Sequence, residues 1–399
     1  MSRSGESISV PPGDFSLVLG GPLFQFLRRA RLCDDAMQML YRRVIFFVAI
    51  CWLPLFLFSA FQGQLFGGGV AVPFLADVDL HVRFLLSMPL LVLAELVVHR
   101  RMRLLVSEFR ERHLISNIDL PRFETAVKSA SRFRDSIIAE VLLIAMVYAV
   151  GIAVIWRHYT ALDAVTWYAG TSNGESKLSA AGLWFVFVSL PVFQFLLLRW
   201  YFRIFVWARL LWHISRVELC LMPSHPDGVG GLGFLSASVY ALLPLLLAHG
   251  VMLAGLIAGR ILHTGAALTD FKVEVAAIVV FLLCLVEGPL LVFSVQLERA
   301  KRAGGRDYGR LAERYVREFD RKWIRGGAPA GEPLIGTADI QSLADIGNSM
   351  QVVQSMRVVL LSKDTILLLA GAVFAPLLPL VVTIMPMDEL ARKLVAVLF

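Results

Sequence analysis

The feature that most constrains this chain is a series of long apolar runs, of which Tyr240–Arg260, "YALLPLLLAHGVMLAGLIAGR", is typical. A helix needs roughly 20 mostly apolar residues to cross a bilayer core about 30 Å thick. Seven stretches reach or approach that length: 44–66, 82–99, 137–156, 181–198, 237–259, 273–297 and 365–385. Hydrophobic residues make up 57% of the chain and its mean hydropathy is +0.70, which excludes an ordinary soluble domain. The expected fold is an all-α polytopic transmembrane bundle of about seven spans, with amphipathic helices on its cytoplasmic face.

The basic residues give the bundle a direction. Segments 1–43, 100–136, 199–236 and 298–364 hold 31 of the 38 Lys and Arg residues, and the alternate segments hold the other 7. Positively charged loops resist translocation, so the N-terminus is expected in the cytoplasm and the C-terminus outside. A net charge of +7 then describes a cationic inner face beside anionic lipid, with no nucleic-acid partner required. "MSRSGESISVPPGDF" is polar and the first long apolar run follows Arg42 and Arg43, so no signal peptide is expected. Only seven of the basic residues are lysines, a bias that fits GC-rich bacterial coding, and the expected location is the bacterial inner membrane. Cys33, Cys51, Cys220 and Cys284 are scattered without a CxxC pair, which argues against disulfides and structural zinc.

Four regions follow. Residues 1–43 form a cytoplasmic N-terminal segment whose "FSLVLGGPLFQFLRRARL" reads as interfacial. Residues 44–297 form a six-span core with a loop at 100–136 long enough for two amphipathic helices, the second started by Pro121, and a glycine-rich loop at 220–236. Residues 298–364 carry two amphipathic helices, and 365–399 hold the seventh span and a short outer tail.

In the third region, Tyr308, Leu311, Tyr315, Phe319 and Trp323 recur every three or four residues beside Arg306, Arg310, Arg314, Arg317, Arg321 and Arg325. Such a basic amphipathic helix, 306–325, is expected to meet anionic inner-leaflet lipids. After the "GGAPAGEP" linker, Ile340, Leu343, Ile346, Met350, Val353, Met356 and Leu360 make a second apolar stripe within 337–361. That stripe has to pack on something: its own bundle, a partner, or a second copy in a homo-oligomer.

The glycine-rich loop, "LMPSHPDGVGGLGFLS", places Gly228, Gly230, Gly231 and Gly233 just after His225 and Asp227. The glycines match GxGxxG, but the βαβ context that gives that string its meaning is missing. Two readings stay open. Backbone amides freed by glycine cradle an anion at the start of the next helix, or the loop is a tight turn in which Asp227 only caps. "HPDGVGGLGFL" together with "ADIQSLADIGNS" resembles a family of uncharacterised bacterial multi-pass membrane proteins. The resemblance implies a membrane location and a shared cytoplasmic feature, and no chemistry.

A charge at the bilayer centre costs roughly 3 kcal/mol even on lenient scales, so ionisable residues in spans are functional candidates. Glu287, followed by Gly288-Pro289, and His249 lie at similar depth, and antiparallel neighbours would bring them together. They are the transport candidates. Glu95, His99 and Glu140, together with His225 and Asp227 of the loop, form a second group at the inner boundary, suited to metal binding, to acid–base chemistry or to interfacial pairing with nearby arginines. Their spacing fits no zinc motif, and no metal is assigned. No cofactor is indicated. The leading expectation is small-solute or ion transport through a proline-kinked bundle. The alternatives are a membrane-embedded enzyme with its site at the cytoplasmic boundary, or a scaffold recruiting a partner through the 337–361 helix.

Overall fold

The structure, a computed structural model, describes residues 15–32, 39–67, 69–152, 166–172 and 175–381. The protein is a membrane-type helical bundle. In chain order its helical stretches are α1 (Pro22–Arg29), α2 (Leu40–Phe61), α3 (Val78–Glu111), α4 (Leu120–Arg134), α5 (Ile137–Ala149), α6 (Ala180–Ile214), α7 (Gly233–Thr264), α8 (Leu268–Ile324), α9 (Ala338–Ser355) and α10 (Lys363–Val381). A short antiparallel hairpin, β1 (Ala169–Ser172) and β2 (Glu175–Leu178), caps the end opposite the basic loops. There the Trp167 indole donates to Asp77 Oδ2 at 2.9 Å.

Six of these helices, α2, α3, α6, α7, α8 and α10, are long and apolar enough to cross a membrane. The expected seventh, at 137–156, is represented by the shorter apolar α5, and residues 153–156 lie outside the described set, as do 382–385 of the last span and the outer tail.

The helices outrun the apolar stretches that announce them. Helix α3 continues to Glu111, α6 to Ile214, and α8 covers 57 residues to Ile324. Backbone hydrogen bonding propagates whatever the side chains are, so a span ends where hydropathy ends while its helix does not. The expected first helix of the 100–136 loop is therefore the tail of α3. The second is separate: α4 begins at Leu120 with Pro121 in its first turn, where a missing N–H costs nothing.

Prolines mark local irregularities. Wide π turns at Val82–Ser87 and Phe185–Ser189 precede Pro89 and Pro191, and tight 3-10 turns surround Pro289 and Pro376. Each absorbs the ring's clash with the preceding carbonyl. Helix α7 is the most buried of the six and packs against α3 and α10, so it forms the axis of the bundle.

Candidate functional site: an arginine cluster, a closed loop and a helical arm

The glycine-rich loop is closed by its own aspartate. Asp227 Oδ1 accepts the amides of Val229 at 2.9 Å and Gly231 at 3.1 Å, and Oδ2 accepts that of Gly233 at 2.9 Å. The amides that would cradle an anion already hold one. Burial works to raise this carboxyl, but the three amides and His225, whose Nδ1 is 2.9 Å from Oδ1, outweigh it and hold it below the usual carboxylate range. Gly231 has φ +98°, and a Cβ there would come within 3.3 Å of Leu114 Cδ2. The loop in turn receives the end of α9, where Arg357 donates its amide to Gly228 O at 2.8 Å. Met356 lies against Gly230, and Pro223 against Gly304 of α8.

The two mid-membrane candidates are not partners. His249 Nδ1 lies 2.7 Å from Leu245 O, four residues back on α7. A carbonyl only accepts, so Nδ1 is assigned the proton, and Nε2 takes the Tyr201 hydroxyl of α6 at 2.8 Å. Both ring nitrogens are satisfied. Glu287 is buried, and its Oε1 has no hydrogen-bond partner among the described residues. Open grooves mark the surface of the described residues. One of about 490 Å³ is lined by Glu298, Lys301, Arg302 and Val353, and another of about 570 Å³ by Tyr201, Arg209, Trp212, Cys284 and Pro289. Neither is lined by Glu287 or His249.

The inner-boundary carboxylates are gathered, with arginines that the sequence pattern left unassigned. Glu95 accepts Arg43 Nη1 at 2.5 Å, Arg203 Nη1 at 2.7 Å and Arg199 Nη1 at 3.3 Å. Glu140 receives Arg199 Nε at 3.2 Å and the Leu23 amide at 2.8 Å. His99 Nδ1 meets Ser16 Oγ at 2.9 Å. All of these side chains are buried, with Arg43 at 1% exposure and Arg203 at 3%. Ion pairing is therefore the observed arrangement, but in the interior of the protein. The available signal was a pair of matched spacings: Glu95 and His99 four apart on α3, Arg199 and Arg203 four apart on α6. Among the described residues no group of three or more His, Cys, Asp or Glu side chains is placed to hold a metal ion.

The basic helix is the end of α8. At its base Gln296 Nε2 donates to Ser215 O and Val217 O, which close the end of α6. Helix α9 then folds back along it. Tyr315 donates to Asp339 O at 3.1 Å, and Lys322 and Trp323 donate to Asp339 Oδ2 at 2.9 Å. Those two bonds hold the Asp339 carboxyl low. Val353, Met356 and Leu360 of the second stripe are buried, Leu343, Ile346 and Met350 are half-buried and Ile340 is exposed, so the stripe packs within the chain at its C-terminal end. The two motifs that carry the family resemblance sit at opposite ends of this helical pair, the glycine loop at its base and Asp339 at its tip. Comparison with family models, with curated proteins and with solved structures finds no match.

Proposed function

We propose that this multi-pass membrane protein is a scaffold whose α8–α9 arm docks an acidic surface of a cytoplasmic protein partner. The observation that carries this reading is the continuity of α8. Its 57 residues span about 85 Å, against a bilayer core of about 30 Å. The loop before α7 holds the helix as far as Tyr308, whose hydroxyl lies 2.7 Å from Ser224 Oγ, and from there to Ile324 the arm runs about 24 Å. Along α8, Arg306, Arg310 and Arg321 are exposed and have no ion-pair partner among the described residues. Arg302, Arg314, Arg317 and Arg325 are neutralised within the helix by Glu298, Glu318, Glu313 and Asp320.

The same arginines would suit anionic lipid, but lipid insertion needs an exposed apolar face. Of that face Leu311 is exposed, but Tyr315 and Trp323 are held by α9, which narrows it. The partner reading is therefore preferred. The 31-to-7 charge split supports a cytoplasmic arm, and the excess of arginine over lysine supports a bacterial inner membrane. Cysteine at Gly305 should then resist an impermeant thiol reagent on intact cells while cysteine at Ser172 is labelled; the reverse pattern inverts the orientation.

A photo-crosslinking side chain at Leu311, which is 53% exposed, tests the docking itself. A discrete protein adduct in cells, lost on combined Arg306→Glu, Arg310→Glu and Arg321→Glu exchange in a normally folded protein, is expected. Adducts to lipid alone move the function to the membrane surface, and adducts indifferent to charge refute the arm as an acidic-surface reader.

Transport keeps one supporting observation, the unpartnered Oε1 of buried Glu287. A proton- or cation-coupled step through this carboxylate is the second reading. Loss of protein-dependent transport in Glu287→Gln, at unchanged expression and stability, would favour it over the scaffold.

A further inference from the structure

A short strap, Phe15–Gly20, covers the buried arginine cluster, and its contacts follow a pattern. Ser16 O accepts Arg134 Nη1, Val18 O accepts Arg203 Nη2 at 3.5 Å, and Gly20 O accepts Arg199 Nη2 at 3.3 Å. Three alternate carbonyl oxygens thus meet three guanidinium groups: Arg199 and Arg203 belong to the cluster, and Arg134 at its edge is paired with Asp135. Phe15, Leu17 and Val18 are each 1% exposed and seal the arrangement from solvent.

The charges beneath the strap do not balance. Arg43, Arg199 and Arg203 face Glu95 and Glu140, which leaves one cation over among the described residues. Arg43 Nε and Nη2 are buried without an acceptor. A buried cation is normally paired, because its desolvation is otherwise uncompensated. Neutral carbonyls supply hydrogen bonds without charge, and such bonds are weaker than those to an anion. Several guanidinium forks aimed at a small group of oxygens match a phosphate.

The strap also has a joint. Gly20 and Gly21 have φ of +133° and +85°, and they connect the strap to α1. Side chains there would collide with Asp135 and Glu140, so the backbone lies directly on these carboxylates.

We propose that the strap is a built-in stand-in for a phosphate group, and that a phosphate-bearing ligand displaces it to occupy the arginine cluster. The ligand is a free phosphate compound or the headgroup of an anionic phospholipid, since both present the same oxygens at this end of the bundle. The cover and the site form one device, in which ligand binding releases the N-terminal segment.

Thiol accessibility tests the proposal in the full-length protein. With the native cysteines replaced by alanine, Ser16→Cys is labelled slowly by a maleimide because the strap is buried. Inorganic pyrophosphate on protein in detergent should accelerate labelling severalfold, while chloride at equal ionic strength should not. If the source is lipid, labelling is instead fast in nanodiscs containing phosphatidylglycerol and slow in phosphatidylcholine. Arg203→Gln should abolish either response. An independent measurement uses Leu17→Ser, which loosens the strap without touching the arginines, and which should gain thermal stabilisation by the effective ligand. Labelling and melting that ignore both pyrophosphate and phosphatidylglycerol would overturn the proposal, and the strap would then be a fixed structural element.

Discussion

Asp227 Oδ2 accepts the amide of Gly233, six residues further along the chain, at 2.9 Å. This bond fixes how the last turn of the loop enters α7, and it makes Asp227 the loop's internal anion. Asp227→Ala would leave the amides of Val229, Gly231 and Gly233 without their acceptor, and a destabilisation of about 1–2 kcal/mol is expected. The pH dependence has a definite sign. A carboxyl held low in the folded state stabilises above its unfolded value, about 3.9, and that stability is lost as pH falls through the folded value. Melting curves of wild type and Asp227→Asn should therefore converge on acidification below about pH 4. Curves that stay parallel to the acid limit would show that the carboxylate is not the closing group.

Gly231 and His225 separate backbone from side-chain roles in the same loop. Alanine at Gly231 has to adopt φ near +98° beside Leu114 Cδ2, a strain of about 1–3 kcal/mol. His225→Ala removes a partly exposed ring that accepts the Asp227 amide at 3.2 Å, while the aspartate keeps its own three amides. Denaturation midpoints should fall further for Gly231→Ala than for His225→Ala, and the opposite order would place the loop's importance in the imidazole.

Glu95 is the hub on which three arginines converge, so Glu95→Gln strips the counter-charge from a buried site. A loss of about 3–5 kcal/mol is expected. Arg43→Gln should cost less, because Arg43 belongs to the side in excess and already has two nitrogens without acceptors. Thermal unfolding in a single detergent compares the two directly. Equal losses would mean that a further anion balances Arg43 in the native protein.

His249 offers a test of pairing by double-mutant cycle. Tyr201→Phe and His249→Ala should couple by about 1 kcal/mol, the worth of one buried hydrogen bond. Glu287→Gln and His249→Ala should be additive within about 0.5 kcal/mol. Strong coupling between Glu287 and His249 would restore the mid-membrane pair that equal depth in neighbouring spans anticipates.

Much of the architecture is set by local composition. The apolar runs mark the spans because transfer of a helix into lipid sums over its own residues, whatever lies beside it. The basic residues are legible in alternate segments because charged loops resist translocation one by one, and the periodicity of 306–325 and 337–361 foretells two helices with apolar stripes. What packs against each stripe depends on partners far along the chain. Tyr315 and Trp323 meet Asp339 because α9 folds back, and the linker's composition leaves that choice open. The same limit applies to the candidate sites. Equal depth made Glu287 and His249 look like partners, but the rotation of α7 about its axis gives the imidazole to Tyr201 instead. Glycine spacing could not reveal that Asp227 turns inward to fill the loop. The arginines around Glu95 lie on α2 and α6, and only the register and rotation set by packed side chains decide that they converge. Sequence determines what each segment can be; the tertiary structure decides which polar groups meet, because that depends on angles and registers to which hydropathy is blind.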